Sequence, residues 1–322
     1  MENHWNNAGA QREEMQRALT VSTAGSILVQ SVINRVVQAL TLRYHGVWST
    51  LTHKPGSGPA AYINRRAPGT TNGQWLADTT EPDEDTGTPT QATFTYRTAL
   101  SRAKVTRRMQ AIGRSYADAM AQEMGGRVED LTEYIEEGLV QGNNAASANQ
   151  ISGLLTLINA VSGQVVANTT ANAGDGLRLA KLDETIDKVR GNPSDKVIFA
   201  SLKGRRLLNN ALQAQQRFNE AVDIDAGFKV MSYGDIPIIT TTKIPDTLTW
   251  VGASAAITVF SGSTTTALIV VNKNELWIED LTAMSVLPLA KASSQYDQFD
   301  IFWDGVLVQA NTLGAAILGG LA

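Results

Sequence analysis

The chain has 322 residues, 43% of them hydrophobic and 18% charged, which is the composition of a folded protein rather than a disordered one. Its net charge of −4 argues against a protein that wraps nucleic acid with its whole surface. Because cysteine is absent, disulfides, thiolate nucleophiles and cysteine-ligated metal sites are excluded.

The N-terminal region is polar and then becomes helical. The opening MENHWNNAGAQREEMQRAL lacks the apolar stretch of a signal peptide. From Ser26, the run SILVQSVINRVVQAL repeats apolar residues at helical spacing, which predicts a helix with a broad buried face. The C-terminal LGAAILGGLA is apolar but shorter than the roughly 20 residues of a membrane span. We therefore expect a soluble, intracellular protein with no membrane partner.

Residues 46–108 have the pattern of a projecting hairpin. AAYINRR, from Ala60 to Arg66, predicts a short strand, and the alternating ATFTYRTALSRAKVTRR predicts the return. A loop of about 25 residues, rich in Thr, Gly and Pro, would separate them, and so long a loop is unusual inside a compact domain. It is reasonable in an arm whose binding partner is another molecule.

The charges of this arm are segregated. Cations cluster where the return strand meets the next helix: Arg102, Lys104, Arg107 and Arg108. Acids cluster near the tip: Glu81, Asp83, Glu84 and Asp85. A tip that reached the base of a neighbouring subunit would bring opposite charges together, so these eight residues are candidate inter-subunit contacts. Two separate solvated clusters are the equally weighted alternative.

Gly113 to Gln141 predicts a long helix. An apolar stripe that includes Leu131, Ile135 and Leu139 runs along it, and acids that include Glu136 fill its other faces. Gly125-Gly126 should weaken it and invite a bend. The polar loop QGNNAASANQ follows; it has no Lys, which a phosphate-binding P-loop requires, so we expect a turn.

Helices and strands alternate over the rest of the chain. A helix from Leu179 should end at the sequence GNP, KVIFA should form a buried strand, and Ser201 should cap the helix that follows. Two short strands should flank Gly234-Asp235. Four β-segments should then follow: ALIVV, ELWIEDL, AMSVLPLA and DQFDIFWDGVLVQA. The predicted fold class is α+β, with helices on mixed sheets.

Candidates for chemistry are sparse. The three histidines, His4, His45 and His53, match no metal-ligand spacing. Asp300 and Asp304 share one face of a predicted strand, with Asp297 nearby, and could hold Mg²⁺ in a metal-dependent hydrolase. Charges that meet water or a neighbouring subunit are the favoured alternative, and we predict no catalytic residue, cofactor or metal.

The order of these segments resembles the major capsid protein of tailed double-stranded DNA phages, the Hong Kong 97-like fold that encapsulin shells also use. The resemblance is carried by ATFTYRTALSRAKVTRRM, QGNNAASANQISGLL, DKVIFASLKGRRLL, MSYGDIPIITTTKIP and SSQYDQFDIFWDGVLVQANTLGAAIL, in that order. It implies an N-terminal arm and first helix (1–45) and an extended loop (46–108). A peripheral domain with a long spine helix (109–142 and 273–311) and an axial domain (143–272 and 312–322) complete the implied organisation.

The resemblance also implies a function. Subunits would form pentamers and hexamers of an icosahedral shell around double-stranded DNA, with weak, non-specific contacts to the DNA. Portal and scaffolding proteins, and in some particles a decoration protein, would be partners. The protein would be assembled in the host cytoplasm and reside in the virion. An encapsulin-like shell around cargo enzymes is the alternative from the same fold.

Overall fold

The computed structural model describes residues 46–66, 75–81, 89–113, 119–214, 221–224, 228–259, 263–289 and 295–322. The polar arm and first helix predicted over residues 1–45 lie outside these ranges. So do the tip acids Asp83, Glu84 and Asp85.

The described chain alternates between helices and strands. The helices are α1 (Gly46–Thr50), α2 (Arg107–Gly113), α3 (Ala119–Gln141), α4 (Leu154–Asn159), α5 (Leu179–Lys188) and α6 (Leu202–Ala214). The first strands are β1 (Thr52–Pro55), β2 (Ala60–Arg66), β3 (Pro89–Thr95), β4 (Arg97–Thr106), β5 (Val165–Ala167), β6 (Lys196–Ala200), β7 (Ala221–Ile224) and β8 (Phe228–Tyr233). The later strands are β9 (Ile236–Thr240), β10 (Thr249–Val251), β11 (Ala256–Val259), β12 (Thr266–Asn272), β13 (Leu276–Pro288), β14 (Tyr296–Gln309) and β15 (Ala315–Leu321). None of the helices described here is long and apolar enough to cross a membrane.

Local sequence signals placed several elements correctly. AAYINRR forms β2, and KVIFA forms β6, in which every residue is buried. Ser201 caps α6 as predicted, because its hydroxyl oxygen accepts a 2.9 Å hydrogen bond from the N–H of Gly204. Gly234 and Asp235 turn the chain between β8 and β9 with φ of 55° and 64°, the left-handed pair that a tight two-residue hairpin requires.

One prediction about the C-terminal strands needs correction. ELWIEDL and AMSVLPLA are one continuous strand, β13, because Thr282 between them favours extended structure and no Gly or Pro interrupts the run. The described part of the long helix is α3, which begins at Ala119; residues 114–118 lie outside the described ranges. α3 continues through Gly125-Gly126.

Glu136 is the clearest error in the prediction for this helix. The sequence places it among outward-facing acids, yet its side chain is fully buried. Its Oε1 accepts hydrogen bonds from the N–H of Val47 at 3.3 Å and the hydroxyl of Thr241 at 2.8 Å. A buried carboxylate requires such donors, and those two residues lie far from Glu136 in sequence, so helical periodicity could not reveal them.

The largest sheet has seven strands in the order β5-β15-β12-β6-β9-β8-β7. β12 pairs antiparallel with β15 and β6, whereas β6 pairs parallel with β9 and β15 parallel with β5. Every residue of β6, β12 and β15 is buried, so both faces at the centre of the sheet are covered. On one face, Leu182 of α5 and Leu208 of α6 pack in the same cluster as strand residues that include Ile198 and Leu268.

A four-stranded sheet has the order β1-β13-β14-β4, and β1 pairs parallel with β13. The chain divides into two compact units. Of the described residues, the first unit contains those within 100–131 and 285–302, and the second contains those within 46–99, 132–284 and 303–322. The assignment of peripheral and axial domains stays a prediction.

The loop after α3 is a turn, as predicted. The N–H of Gly142 donates to the carbonyl of Gly138, and the N–H of Gly153 donates to the carbonyl of Gly142, both at 2.8 Å. The side-chain oxygen of Asn143 accepts from the N–H of Ala145 at 3.0 Å, which closes a local Asx turn. A Cβ on Gly142 would lie 2.4 Å from the carbonyl oxygens of Gly138 and Ile151. The backbone segments of this turn thus approach each other so closely that only glycine fits at position 142.

Candidate assembly surface

The root of the predicted arm is a hairpin packed on the second compact unit. β2 and β3 pair antiparallel from Ala60↔Thr95 to Arg66↔Pro89, which confirms the predicted hairpin. Ala61 packs in one apolar cluster with Val306 and Val308 of β14. Ile63, Phe94, Tyr96 and Trp277 complete that cluster. The root is therefore fixed by apolar burial.

Hydrogen bonds from the Arg65 side chain strengthen this attachment. Its Nε donates to the carbonyl of Ala310 at 2.8 Å, and its Nη2 donates to the carbonyl of Gln309 at 2.5 Å. Both carbonyls lie where β14 ends, so the guanidinium satisfies acceptors that the strand leaves free.

Two side chains beyond β3 bond to acids on neighbouring strands. The Tyr96 hydroxyl donates to the Glu279 carboxylate, and burial together with this bond raises the pKa of Tyr96 to about 12. The Thr98 hydroxyl donates to Asp304 Oδ1 at 2.5 Å. Asp304, a predicted metal-ligand candidate, is thus a partner of the arm.

His53 lies at the centre of an aromatic and acidic cluster that sequence reasoning missed. Its Nδ1 is 2.7 Å from Asp280 Oδ2, and its Nε2 is 3.1 Å from the carbonyl oxygen of Trp48. Trp303 donates its indole N–H to the other oxygen of Asp280 at 2.7 Å, and the rings of Trp48 and Trp303 meet edge to face. The Asp280 hydrogen bond raises the pKa of His53 above its ordinary value. Both ring nitrogens face acceptors, an arrangement that suits the protonated imidazole.

In the first compact unit, the predicted cation Arg102 is already paired. Its Nε and Nη2 donate to the two carboxylate oxygens of Asp300 at 2.6 and 2.8 Å. The Asp300 side chain is only 8% exposed, whereas that of Arg102 is 58% exposed. The hydrogen bond from Arg102 lowers the pKa of Asp300. Little of the Asp300 carboxylate therefore meets water, and its charge is paired with Arg102.

The other predicted contact residues lie on the surface where they are described. Lys104 is exposed, with its Nζ 5.3 Å from the Tyr296 ring centroid. Arg107 and Arg108 are exposed at the start of α2, and Glu81 is exposed near the tip.

The described acids are not arranged to bind a metal ion together. Asp300 is bound by Arg102 and Asp304 by Thr98, so the two carboxylates serve different partners. Among the residues that the structure describes, no group of three or more His, Asp or Glu side chains could hold a metal ion.

Large apolar side chains of the arm remain exposed in the single chain. Tyr62 of β2 is 51% exposed and Leu100 of β4 is 55% exposed. Within the tip loop, Leu76 is 41% exposed and Trp75 has no cover from its own chain. A fully exposed tryptophan on a projecting element is typical of surfaces that bind another molecule.

Comparison with known families identifies the chain's relatives. The family model described as SU10 major capsid protein matches residues 66–322. A search among curated proteins finds no significant match.

Solved structures with similar folds are shell proteins. The SrpI encapsulin complex from Synechococcus elongatus is similar with a TM-score of 0.68 and 14% identity, over 89% of this chain and 90% of that one. The capsid of cyanophage A-1(L) gives 0.65 and 12%, over 89% and 95%. The capsid of a native GTA particle gives 0.64 and 11%, over 89% and 93%. These similarities confirm the predicted Hong Kong 97-like α+β fold.

Proposed function

Because the chain belongs to the SU10 major capsid protein family, we propose that its copies group into pentamers and hexamers that close an icosahedral shell around double-stranded viral DNA. The role in the virion is structural, that of a capsid building block that associates with itself. We extend this to a chain with no enzymatic activity that is assembled in the host cytoplasm.

The observation that carries this proposal is the contrast between the root and the tip of the arm. The root is buried against β14 and tied by Arg65, whereas at the tip Trp75 is fully exposed and Leu76 is 41% exposed. Apolar area at the tip becomes buried only on a neighbouring subunit. Stability should therefore increase with assembly rather than in the monomer.

The charges of the arm indicate which residues of two subunits meet. Arg102 is occupied by Asp300, so the cations open to a neighbour are Lys104, Arg107 and Arg108. We propose that these three meet the tip acids Glu81, Asp83, Glu84 and Asp85 of an adjacent subunit. Such exposed pairs set register and orientation more than affinity.

Partners beyond the shell follow from the same role. The net charge of −4 favours weak, non-specific contacts with packaged DNA over tight wrapping. Portal and scaffolding proteins should bind the shell, and a decoration protein could coat it.

An encapsulin-like shell remains the second candidate, favoured by the similarity to the SrpI encapsulin. The two candidates differ in what the particle contains. Nucleic acid inside particles purified from infected cells supports the capsid, and a cargo enzyme supports the encapsulin.

Negative-stain electron microscopy of the purified full chain tests the proposal directly. We expect closed spherical particles, or rings of five and six subunits before closure. A chain that stays monomeric at every concentration and salt condition, and also when supplied with a scaffolding protein, would refute it.

A further inference from the structure

Trp75 is the most exposed large side chain of the arm. It lies in the middle of the loop between β2 and β3 and touches nothing that would cover its ring. An uncovered indole is unfavourable in water, and tryptophan is enriched at the centre of protein interfaces. The residue therefore has the properties of an interface anchor.

A cavity of about 200 Å³ opens in the second compact unit beside the turn after α3. Residues of β4, α3 and the turn line it, and those that matter here are Arg97, Tyr134, Ile135, Gly138, Asn149 and Ile151. Tyr134 is itself 59% exposed in the single chain. Sites for small-molecule ligands usually have about 300–1,000 Å³, so this cavity suits one large side chain better than a cofactor.

The lining suits an indole ring. Ile135 and Ile151 provide apolar walls, and the Ile151 side chain packs over Gly138, where an added Cβ would touch it at 3.6 Å. Tyr134 can meet the ring edge to face, and the Arg97 guanidinium can lie over a ring face.

One charge in the lining suits the arm tip. Arg97 brings a positive charge to the cavity, whereas Glu137 is paired with Lys243, whose ammonium group lies 3.5 Å from Glu137 and 2.8 Å from Glu133. Asp78, three positions from Trp75, is exposed. A tip that delivers an indole thus brings a carboxylate that Arg97 can pair with.

We propose that the Trp75 side chain of one copy fills this cavity in a neighbouring copy of the same chain. The occupant comes from a second copy because the Trp75 of the same chain is fully exposed and outside its own cavity. The inference rests on the proposed self-assembly and identifies the residue and the cavity that join the subunits.

Assembly of a Trp75→Ala variant is the first test. Removing the anchor should raise the protein concentration needed for shell formation by roughly 30-fold, the effect of losing a typical interface hot spot. Leu202→Ala is the matched control, because Leu202 of α6 is 49% exposed but belongs neither to the arm nor to the cavity. Its assembly should match that of the unmodified chain. Equal assembly of the Trp75→Ala variant and the control would overturn the proposal.

Thiol labelling tests whether the Trp75 side chain occupies the cavity. The chain has no cysteine, so Asn149→Cys places a single thiol in the cavity lining. A maleimide should label it quickly in free subunits and roughly tenfold more slowly in shells. Combining Asn149→Cys with Trp75→Ala should abolish that protection in shells formed at high concentration, whereas a Leu202→Cys thiol should label equally with either residue at position 75.

The outcomes distinguish failure of the cavity contact from failure of the proposed capsid function. Protection that persists without Trp75, in shells that form normally, would refute the cavity contact and leave the capsid role intact. If the unmodified chain forms no shells at all, the proposed function fails instead.

Discussion

At the scale of single residues, Asp300 shows how a long-range partner changes an assignment. The sequence offers it as a metal ligand or a solvated charge, but 198 positions away Arg102 donates two hydrogen bonds to its carboxylate. The pKa of Asp300 is lowered from its ordinary 3.8. A lowered carboxyl pKa contributes stability that is present above pH 3.8 and is lost as the pH falls through the folded-state pKa.

The Arg102→Gln variant should therefore be more sensitive to acid. Without the guanidinium, the pKa of Asp300 rises, and the buried carboxyl takes up a proton at higher pH. We expect the midpoint of acid unfolding, followed by near-ultraviolet circular dichroism, to move to higher pH. Arg127→Gln is the control, because the 3.0 Å ion pair of Arg127 with Glu123 is exposed on both sides and should matter little. Identical midpoints for the two variants would contradict this reasoning.

His53 gives a pH dependence of the opposite sign. Its pKa is raised above 6.5 by Asp280, so its contribution to stability is complete below pH 6.5 and is lost as the pH rises through the folded-state pKa. Thermal unfolding of the unmodified chain should lose stability over that window. His53→Phe should remove this pH dependence, whereas His4→Gln should retain it. A His53→Phe variant that keeps the full pH dependence would rule out His53 as its source.

At the scale of elements, the turn after α3 depends on backbone contact. Gly142 and Gly153 are each positioned so that a Cβ would lie less than 3 Å from backbone atoms of the facing segment. The turn is thus a tight crossing of two backbones between α3 and α4, and its sequence, rich in Gly and Asn, serves conformation rather than ligand binding.

Substitution at these glycines should be costly. Gly142→Ala should lower the free energy of unfolding by about 3 kcal/mol, because the added methyl group overlaps two carbonyl oxygens that cannot move independently. Gly142→Val should abolish folding or assembly. Gly125→Ala is the matched control, since a Cβ there meets nothing within 4 Å and should stabilise α3 by about 0.5–1 kcal/mol. Chemical denaturation measures both, and equal effects would contradict the close-approach argument.

At the scale of the whole molecule, the arm is explained by assembly of the chain with other copies of itself. Its root is packed in the single chain, whereas Trp75 at its tip is fully exposed there. The acids and the cations of the arm form two clusters that are separated in the sequence. We propose that each cluster pairs with the opposite cluster of a second copy.

Charge reversal at the tip tests this arrangement. The double variant Glu84→Lys and Asp85→Lys should assemble more weakly, and the defect should shrink at high salt because screening weakens exposed charge pairs. Light scattering at several ionic strengths measures both effects.

A reciprocal exchange provides the control. Adding Arg107→Glu and Arg108→Glu to the tip variant should restore part of the assembly, because the opposite charges are again paired. If tip reversal leaves assembly and its salt dependence unchanged, the two clusters are independent solvated surfaces.

The sequence by itself determined the elements and, through their order, the family. Helical periodicity located α3 and α5, the continuous apolar run located β6, and Gly234-Asp235 located a hairpin, because these signals depend on near neighbours in the chain. The long interruption between β2 and β3 indicated an arm for the same reason.

Only the tertiary structure decided which distant side chains meet. Asp280 is 227 positions from His53, and Glu136 is 105 from Thr241. Pairing at such separations is set by strand register and by the packing of elements on one another, and local periodicity contains no information about either. That is why the burial of Glu136 and the cluster around His53 escaped prediction, whereas the hairpin and the turn after α3 did not.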